Sequence, residues 1–282
     1  MDVVICMVLK DILLLKKNLY YIQKNINPER IFIISDSRNF RLLKSTCSNI
    51  IFIDENKLID GLTLSSLKEL MIRRNFKYRN YGWYFQQLLK LGFALSSYAK
   101  NEYLVWDADT IPFNPLTFKD GEKNLIFPKW EHHQAYFDAI DKLFVAPKKA
   151  NYSFISEHML FDSSIVKKML SMIQENNKDE WWKCIMAAVN PYDGNGFSEF
   201  ETYGTFCLNY YPDVLQMRTL RTFRHCGKMF GVLVTPKEIE FLASELDTGS
   251  FEIRDLPVNT WRLFCQKCYI YICKLVMFAR KF

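Results

Sequence analysis

The expected fold rests on one nine-residue stretch, Val105-Trp106-Asp107-Ala108-Asp109-Thr110-Ile111-Pro112-Phe113. Apolar residues over 103–106 predict a buried strand, and two carboxylates follow where the chain leaves the sheet. Because alternate residues of an extended chain point to the same side, Asp107 and Asp109 can converge on one hard cation. The prediction is a Mn²⁺ or Mg²⁺ ion held by these carboxylates and by substrate phosphate oxygens. The alternative is a strand-terminal turn whose Asp side chains accept backbone hydrogen bonds.

The residues before this stretch alternate between apolar strands and helices. Strands are predicted at 3–8, 30–35, 49–53 and 103–106, and helices at 11–26, 64–75 and 82–98. Strands separated by helices indicate an α/β fold with a mainly parallel, layered sheet, in which ligands bind beyond the carboxyl ends of the strands. Further helices are predicted at 163–176 and 181–189, and loops around a site are expected over 191–249.

Composition and charge exclude several classes of protein. Of the 282 residues, 49% are hydrophobic and 24% are charged, which excludes a largely disordered chain. The net charge is +6, but residues 261–282 hold five cations and no acid, so the other 260 residues carry 32 cations and 31 acids. A nearly neutral body argues against nucleic-acid binding. The absence of G-x-G-x-x-G and Walker sequences argues against Rossmann dehydrogenases and P-loop enzymes.

The eight cysteines are scattered along the sequence and form no dense disulfide framework. The amino terminus lacks the charged and apolar pattern of a signal peptide. We therefore expect reduced thiols and a cytoplasmic location.

Two further blocks accompany the Asp-x-Asp stretch. They read Tyr81-Gly82-Trp83-Tyr84-Phe85-Gln86-Gln87-Leu88-Leu89-Lys90-Leu91 and Ser198-Glu199-Phe200-Glu201-Thr202-Tyr203-Gly204. In this order, the three blocks resemble those of an uncharacterised bacterial family of GT-A-type glycosyltransferases from surface-polysaccharide loci (capsule or lipopolysaccharide O-antigen). The resemblance spans roughly residues 80–205. It implies a GT-A-like, Rossmann-like fold and metal-dependent transfer of a sugar from a nucleotide-sugar donor to a glycan or glycolipid acceptor.

Within these blocks, the resemblance implies that Asp107 and Asp109 bind the metal and favours Glu199 over Glu201 as the base of an inverting reaction. The alternative for at least one of the two Glu residues is a helix cap or a hydrogen bond to loop backbone. A second set, formed by Trp83, Gln87 and Lys90, shares one helical face and could contact a base, a ribose or a diphosphate. The same helix could instead pack on the sheet, with Lys90 reaching solvent.

Other candidates lie outside the blocks or at their edges. For the nucleotide-sugar they are Lys10, Asp36, Arg73 and Lys228; for the acceptor side they are Glu157, His158 and Tyr203. His225 is the candidate third metal ligand, because some metal-dependent GT-A enzymes have a similar late His followed by Gly and Lys. The alternatives are solvated surface charges and a hydrogen-bonded structural histidine.

The carboxyl-terminal residues predict an amphipathic helix. Its polar residues lie within a sector of about 140°; they are Arg262, Gln266, Lys267, Lys274, Arg280 and Lys281. Apolar residues fill much of the other side, and the cations recur too often for a membrane span. We expect this helix to lie on the anionic inner face of the cytoplasmic membrane. The alternatives are docking on the domain and a dimer contact.

Two domains are therefore predicted. Residues 1–255 form the glycosyltransferase domain, with a nucleotide-sugar half at about 1–116 and an acceptor half at about 117–255, and residues 256–282 form the helix. Two other functions remain open at this stage. One is nucleotidyl or phosphosugar transfer, and the other is a peripheral membrane scaffold with a structural cation.

Overall fold

The computed structural model describes residues 1–43 and 48–280; Cys47 and the last two residues of the predicted tail helix lie outside them. The strands are β1 (Asp2–Cys6), β2 (Ile31–Ser35), β3 (Ile50–Asp54), β4 (Glu102–Trp106), β5 (Thr110–Pro112), β6 (Lys119–Asp120), β7 (Lys123–Ile126), β8 (His158–Asp162), β9 (Leu215–Met217), β10 (Thr222–Phe223) and β11 (Thr248–Ser250). The α-helices are α1 (Ile12–Asn25), α2 (Leu64–Arg73), α3 (Tyr81–Gly92), α4 (Gln134–Leu143), α5 (Ser163–Asn177), α6 (Trp181–Ala188), α7 (Glu199–Tyr210), α8 (Cys226–Phe230), α9 (Pro236–Glu245) and α10 (Thr260–Ala279).

A five-stranded sheet with the order β3-β2-β1-β4-β8 forms the centre of the molecule. β1 is parallel to β2 and β4, and β2 is parallel to β3, whereas β8 runs antiparallel to β4. Every residue of β1 and β2 is buried, as expected for apolar strands of a parallel sheet covered on both faces. The predicted α/β fold is confirmed, and an antiparallel edge strand completes the otherwise parallel sheet.

Helices cover both faces of this sheet because successive strand residues point in opposite directions. On one face, Val3 and Ile5 share a hydrophobic cluster with Leu19 of α1. On the other face, Val4 shares a cluster with Leu88 of α3. Burying one such aliphatic side chain stabilises the fold by about 1.5–3 kcal/mol. The two clusters therefore hold α1 and α3 against the strand ends that they flank.

The structure differs from the sequence-based expectation over residues 191–249, where it contains α7, α8 and α9 as well as loops. Helix α7 is buried at every residue from Glu199 to Cys207, so it lacks the one-sided apolar pattern by which a surface helix is recognised. The Ser198 hydroxyl caps the helix by accepting a hydrogen bond from the Glu201 N–H. Gly204 lets α7 approach its neighbour closely, because a Cβ there would lie 2.2 Å from the Phe154 ring.

Helix α10 contacts the rest of the molecule through polar side chains. Arg262 donates a hydrogen bond to the Phe230 carbonyl (2.7 Å), and Arg280 donates one to Asn39 Oδ1 (2.6 Å). Between them, buried Gln266 accepts from the Val232 N–H and donates to the backbone carbonyls of residues 253 and 255. Within residues 1–43 and 48–280, no helix is long and apolar enough to cross a membrane.

Candidate active site

The carboxyl ends of β1, β3 and β4 border a cleft of about 600 Å³. Loops and helices from the second half of the chain form its other walls. The residues that line it and that are used below are Lys10, Asp11, Glu55, Trp83, Gln87, Lys90, Asp107, Asp109, Glu157, Glu199, Arg224, Glu252 and Arg254. The cleft thus lies where an α/β sheet ordinarily binds its ligand.

A cluster of three charged side chains lies in the wall of this cleft, with Lys90 and Glu199 buried and Asp107 32% exposed. Lys90 Nζ is 2.7 Å from Asp107 Oδ1 and 2.7 Å from Glu199 Oε1. The Glu199 N–H also donates a hydrogen bond to Gln87 Oε1 (3.1 Å). Burial raises the pKa of Glu199, while the neighbouring Lys90 ammonium opposes this shift. Gln87 and Lys90 therefore share one helix face, as predicted, and that face contacts the first turn of α7.

Backbone hydrogen bonds fix the turn that carries the two Asp residues. The Asp107 N–H donates to the Glu157 carbonyl (3.0 Å), and the Asp109 carbonyl accepts from the Phe251 N–H (2.8 Å). The Trp106 indole N–H closes the turn by donating to the Thr110 carbonyl (2.7 Å). The turn is therefore held by groups other than the two carboxylates; Asp107 Oδ1 pairs with Lys90, and the remaining carboxylate oxygens take no part in holding the turn.

The Asp109 carboxylate lies close to other acidic side chains. Burial, together with the negative charges of Asp107, Asp11 and Glu252, raises its pKa to about 8. Among residues 1–43 and 48–280, no side chain forms a hydrogen bond or an ion pair with it. A cation between Asp107 and Asp109 would relieve this repulsion, and oxygen ligands suit Mg²⁺ or Mn²⁺. No group of three potential metal ligands exists in the described part of the chain, so water and substrate phosphate would have to complete the coordination.

Eight of the predicted site residues line the cleft together; they are Lys10, Trp83, Gln87, Lys90, Asp107, Asp109, Glu157 and Glu199. Three other residues from the catalytic and acceptor predictions are not part of the cleft lining. Their side chains form hydrogen bonds or ring contacts inside the protein. Glu201 Oε2 accepts hydrogen bonds from Ser153 Oγ and from the Phe154 N–H, and the Tyr203 hydroxyl accepts one from the Asp162 N–H. His158 stacks on Trp106 at 4.7 Å between ring centroids, and burial lowers its pKa to about 3.

The remaining candidates lie outside the cleft lining. Asp36 accepts hydrogen bonds from Arg38, and Arg73 is exposed in the last turn of α2. The His225 ring contacts Asp255 at 3.2 Å, and Lys228 is exposed on α8. His225 therefore pairs with a carboxylate in this structure, and its backbone is bridged to Phe251, whose N–H donates to the Asp109 carbonyl.

Further charged cleft residues were not predicted, among them Glu55, Arg224, Glu252 and Arg254. Glu55 directly follows β3, so the rule that pointed to Lys10 and Asp36 at strand ends could have identified it. Glu252 and Arg254 come from a loop near α10, and no local sequence pattern indicates their approach to the cleft. Glu252 pairs with both Arg254 and Arg224, and Glu131 also pairs with Arg224, so two carboxylates balance the two arginines.

We predict that Glu55→Gln stabilises the protein at alkaline pH. Burial, with Asp36 and Asp54 nearby, raises the Glu55 pKa from 4.5 to about 7. A carboxyl group with a raised folded-state pKa favours folding while it is protonated, so stability falls as pH rises from 4.5 through about 7. The variant should gain about 2 kcal/mol in the free energy of unfolding near pH 8 and nothing near pH 4. Urea unfolding at both pH values measures the difference, and an equal gain for exposed Glu122→Gln would contradict it.

Comparison with known proteins places the sequence in a family. Residues 9–227 match the profile of a family described as "Family of unknown function (DUF6492)". The chain belongs to this family. The matched range contains all three sequence blocks and ends before α9 and α10.

No curated protein matches the sequence significantly. Solved structures similar to this family member include a galactosyltransferase, LgtC, in complex with donor and acceptor sugar analogs. That similarity has 13% identity, covers 97% of this chain and 95% of the other, and has a TM-score of 0.48. The apo form of mouse xyloside xylosyltransferase 1 is similar at 10% identity, over 90% of this chain and 99% of the other, with a TM-score of 0.49.

Proposed function

We propose that this protein transfers a sugar from a nucleotide-sugar donor to a hydroxyl group of a glycan or glycolipid acceptor. The observation that carries the proposal is the convergence of the three sequence blocks on one cleft. Lys90, Asp107 and Glu199 come one from each block and form a single charged cluster in the cleft wall. The three blocks that carry the family resemblance therefore also supply the side chains that meet in the cleft.

In this proposal Asp107 and Asp109 hold Mn²⁺ or Mg²⁺ at the donor diphosphate. The bound ion supplies positive charge that stabilises the departing nucleoside diphosphate. Lys10, exposed at the end of β1, is the cation available to the phosphates, and Trp83 offers an aromatic face at the cleft wall. Glu157 lines the side formed by the second half of the chain, where the acceptor would bind.

Glu199 is the candidate general base if the reaction inverts configuration. Its carboxylate lines the cleft, and one oxygen contacts Lys90. The ammonium group favours the ionised form, which can accept the proton of an acceptor hydroxyl group. Glu201 becomes the weaker candidate, because Ser153 and the Phe154 N–H occupy one of its oxygens away from the cleft.

A binding screen with nucleotide sugars tests the proposal. A donor present at about 100 times its Kd should raise the free energy of unfolding by about 2.7 kcal/mol, and the gain should require Mn²⁺ or Mg²⁺. Thermal unfolding with and without the metal measures this gain. Release of nucleoside diphosphate during turnover supports sugar transfer, whereas release of pyrophosphate would indicate nucleotidyl transfer. No binding of any nucleotide sugar would favour the scaffold function.

We further propose that the enzyme works on an acceptor carried at the anionic inner face of the cytoplasmic membrane, with α10 as the contact. The support is the orientation of this helix. Its polar residues Arg262, Gln266 and Arg280 contact the protein, whereas large apolar residues face outward. Trp261 is 70% exposed and Tyr271 is 63% exposed, although a helix that only packs on a domain would bury such residues.

In sequence, this outward face directly follows a segment that lines the cleft. Arg254 lines the cleft, and Leu256, Val258 and Trp261 follow it with exposed side chains. Exposed lysines at positions 267 and 274 lie on one edge of the outward face, and lysines in this position attract anionic lipid. A bilayer on this face would bring lipid-linked glycans to the cleft mouth. The division into a catalytic part (1–255) and a membrane-contacting helix (256–282) belongs to the same proposal.

A further inference from the structure

Lys90 is almost completely buried, although it lines the cleft. Its side chain is 4% exposed, and its ammonium group contacts one oxygen of Asp107 and one oxygen of Glu199, each at 2.7 Å. The ring of Phe200 lies against it, with the centroid 4.8 Å from Nζ. An ammonium group has three N–H donors, and carboxylates take two of them. Little of Nζ therefore remains for a phosphate group.

We propose that Lys90 is a positioning residue, which fixes Asp107 and Glu199 on either side of one ammonium group and does not bind the donor diphosphate. That the reaction is sugar transfer rests on the proposed function above. The interaction of Lys90 with Asp107 and Glu199 rests only on the distances between these side chains. In this arrangement Lys90 sets the separation between the donor end of the cleft, at Asp107, and the reactive carboxylate at Glu199.

The neighbouring contacts support this role. Helix α3 holds Glu199 twice, because Gln87 accepts from its N–H (3.1 Å) and Lys90 pairs with its side chain. The backbone of Asp107 is fixed separately by the Glu157 carbonyl (3.0 Å). Only Lys90 joins the two side chains within the described residues. Without the ammonium group, two carboxylates would face each other in a poorly solvated wall and would move apart.

Lys10 provides a matched comparison. It lines the same cleft, it is exposed, and it forms no ion pair in the described part of the chain. Lys10→Met and Lys90→Met remove the same charge from the same cleft. The first should weaken nucleoside diphosphate binding, and the second should weaken turnover. The two variants therefore separate binding of the diphosphate from positioning of the carboxylates.

Calorimetry with a nucleoside diphosphate and turnover assays, both at saturating Mn²⁺, test the proposal. For Lys90→Met we expect kcat to fall about 100-fold, the usual effect of misplacing a reacting group by about 1 Å. Kd should change less than about threefold, because the Glu157 carbonyl still fixes the Asp107 backbone, so that Glu199 is the carboxylate that moves. For Lys10→Met we expect Kd to rise about tenfold. A tenfold rise in Kd for Lys90→Met, or an unchanged kcat, overturns the positioning role.

A double-mutant cycle on thermal stability keeps the test valid if Lys90→Met folds poorly. Lys90→Met should lower the melting temperature by about 10 °C in the natural sequence and by much less in the Glu199→Gln background, where one carboxylate has lost its charge. Additive shifts would overturn the coupling. This readout needs no substrate, so failure of the wild-type protein to bind nucleotides would refute the proposed function and leave the cycle interpretable.

Discussion

Asp109→Asn should reduce sugar transfer by about 10²–10³-fold and leave the fold intact. The substitution removes one of two carboxylates proposed to hold the metal, while the backbone contact of residue 109 with the Phe251 N–H is retained. Because burial and neighbouring acids raise the Asp109 pKa to about 8, a neutral amide relieves repulsion in the folded state. The melting temperature should therefore stay constant or rise slightly near neutral pH.

Three measurements check this result: turnover, Mn²⁺ binding by calorimetry, and thermal unfolding. The matched control is Asp138→Asn, which removes a carboxylate from the exposed surface of α4. The control should retain full turnover and metal binding. Full activity of Asp109→Asn in buffer without added metal would contradict the metal-dependent mechanism.

Replacing the outward residues Phe264, Tyr271 and Leu275 of α10 together by serine should weaken binding to anionic vesicles at least about 100-fold. All three side chains are about half exposed or more, so their removal costs little folding free energy. Vesicles of phosphatidylglycerol and phosphatidylethanolamine, sedimented with the protein, measure the effect. Transfer to a soluble acceptor should be unchanged. Equal sedimentation of variant and wild type would contradict the membrane contact.

Two controls separate lipid binding from other uses of this face. Replacing Lys267 and Lys274 together by glutamine should weaken binding to anionic vesicles by about tenfold and have no effect on neutral vesicles. A wild-type dimer that becomes monomeric in the serine variant, with no vesicle binding in either, would instead identify the face as a contact between two copies. Deleting the whole helix is a poorer test, because Gln266 also holds the cleft-wall segment at Ile253 and Arg262 also holds the end of α8 at Phe230.

The sequence predicted the central sheet well because its strands are continuous apolar runs. β1, β2, β3 and β4 all lie within two residues of their predicted ends. The Asp-x-Asp turn was likewise expected at the end of β4. Helix α7 was not predicted, because burial on all sides removes the periodic pattern by which helices are recognised.

The candidate site was predicted in part, and the reason lies in sequence separation. The shared face of Gln87 and Lys90 follows from helical spacing alone. Its partner, Glu199, is more than a hundred positions away, and only the packing of α3 against α7 brings them together. The same limit applies to Arg254, whose approach to the cleft depends on how α10 holds its loop.

The amide of Gln266 links the position of α10 to one wall of the cleft. This side chain is fully buried and joins α10 by hydrogen bonds to the carbonyls of Ile253 and Asp255, on either side of the cleft residue Arg254. A shift of α10 toward or away from the body would carry this segment with it or break those bonds. If α10 contacts a membrane as proposed, lipid composition and curvature, which set the depth and tilt of a surface helix, would alter the width of the cleft mouth.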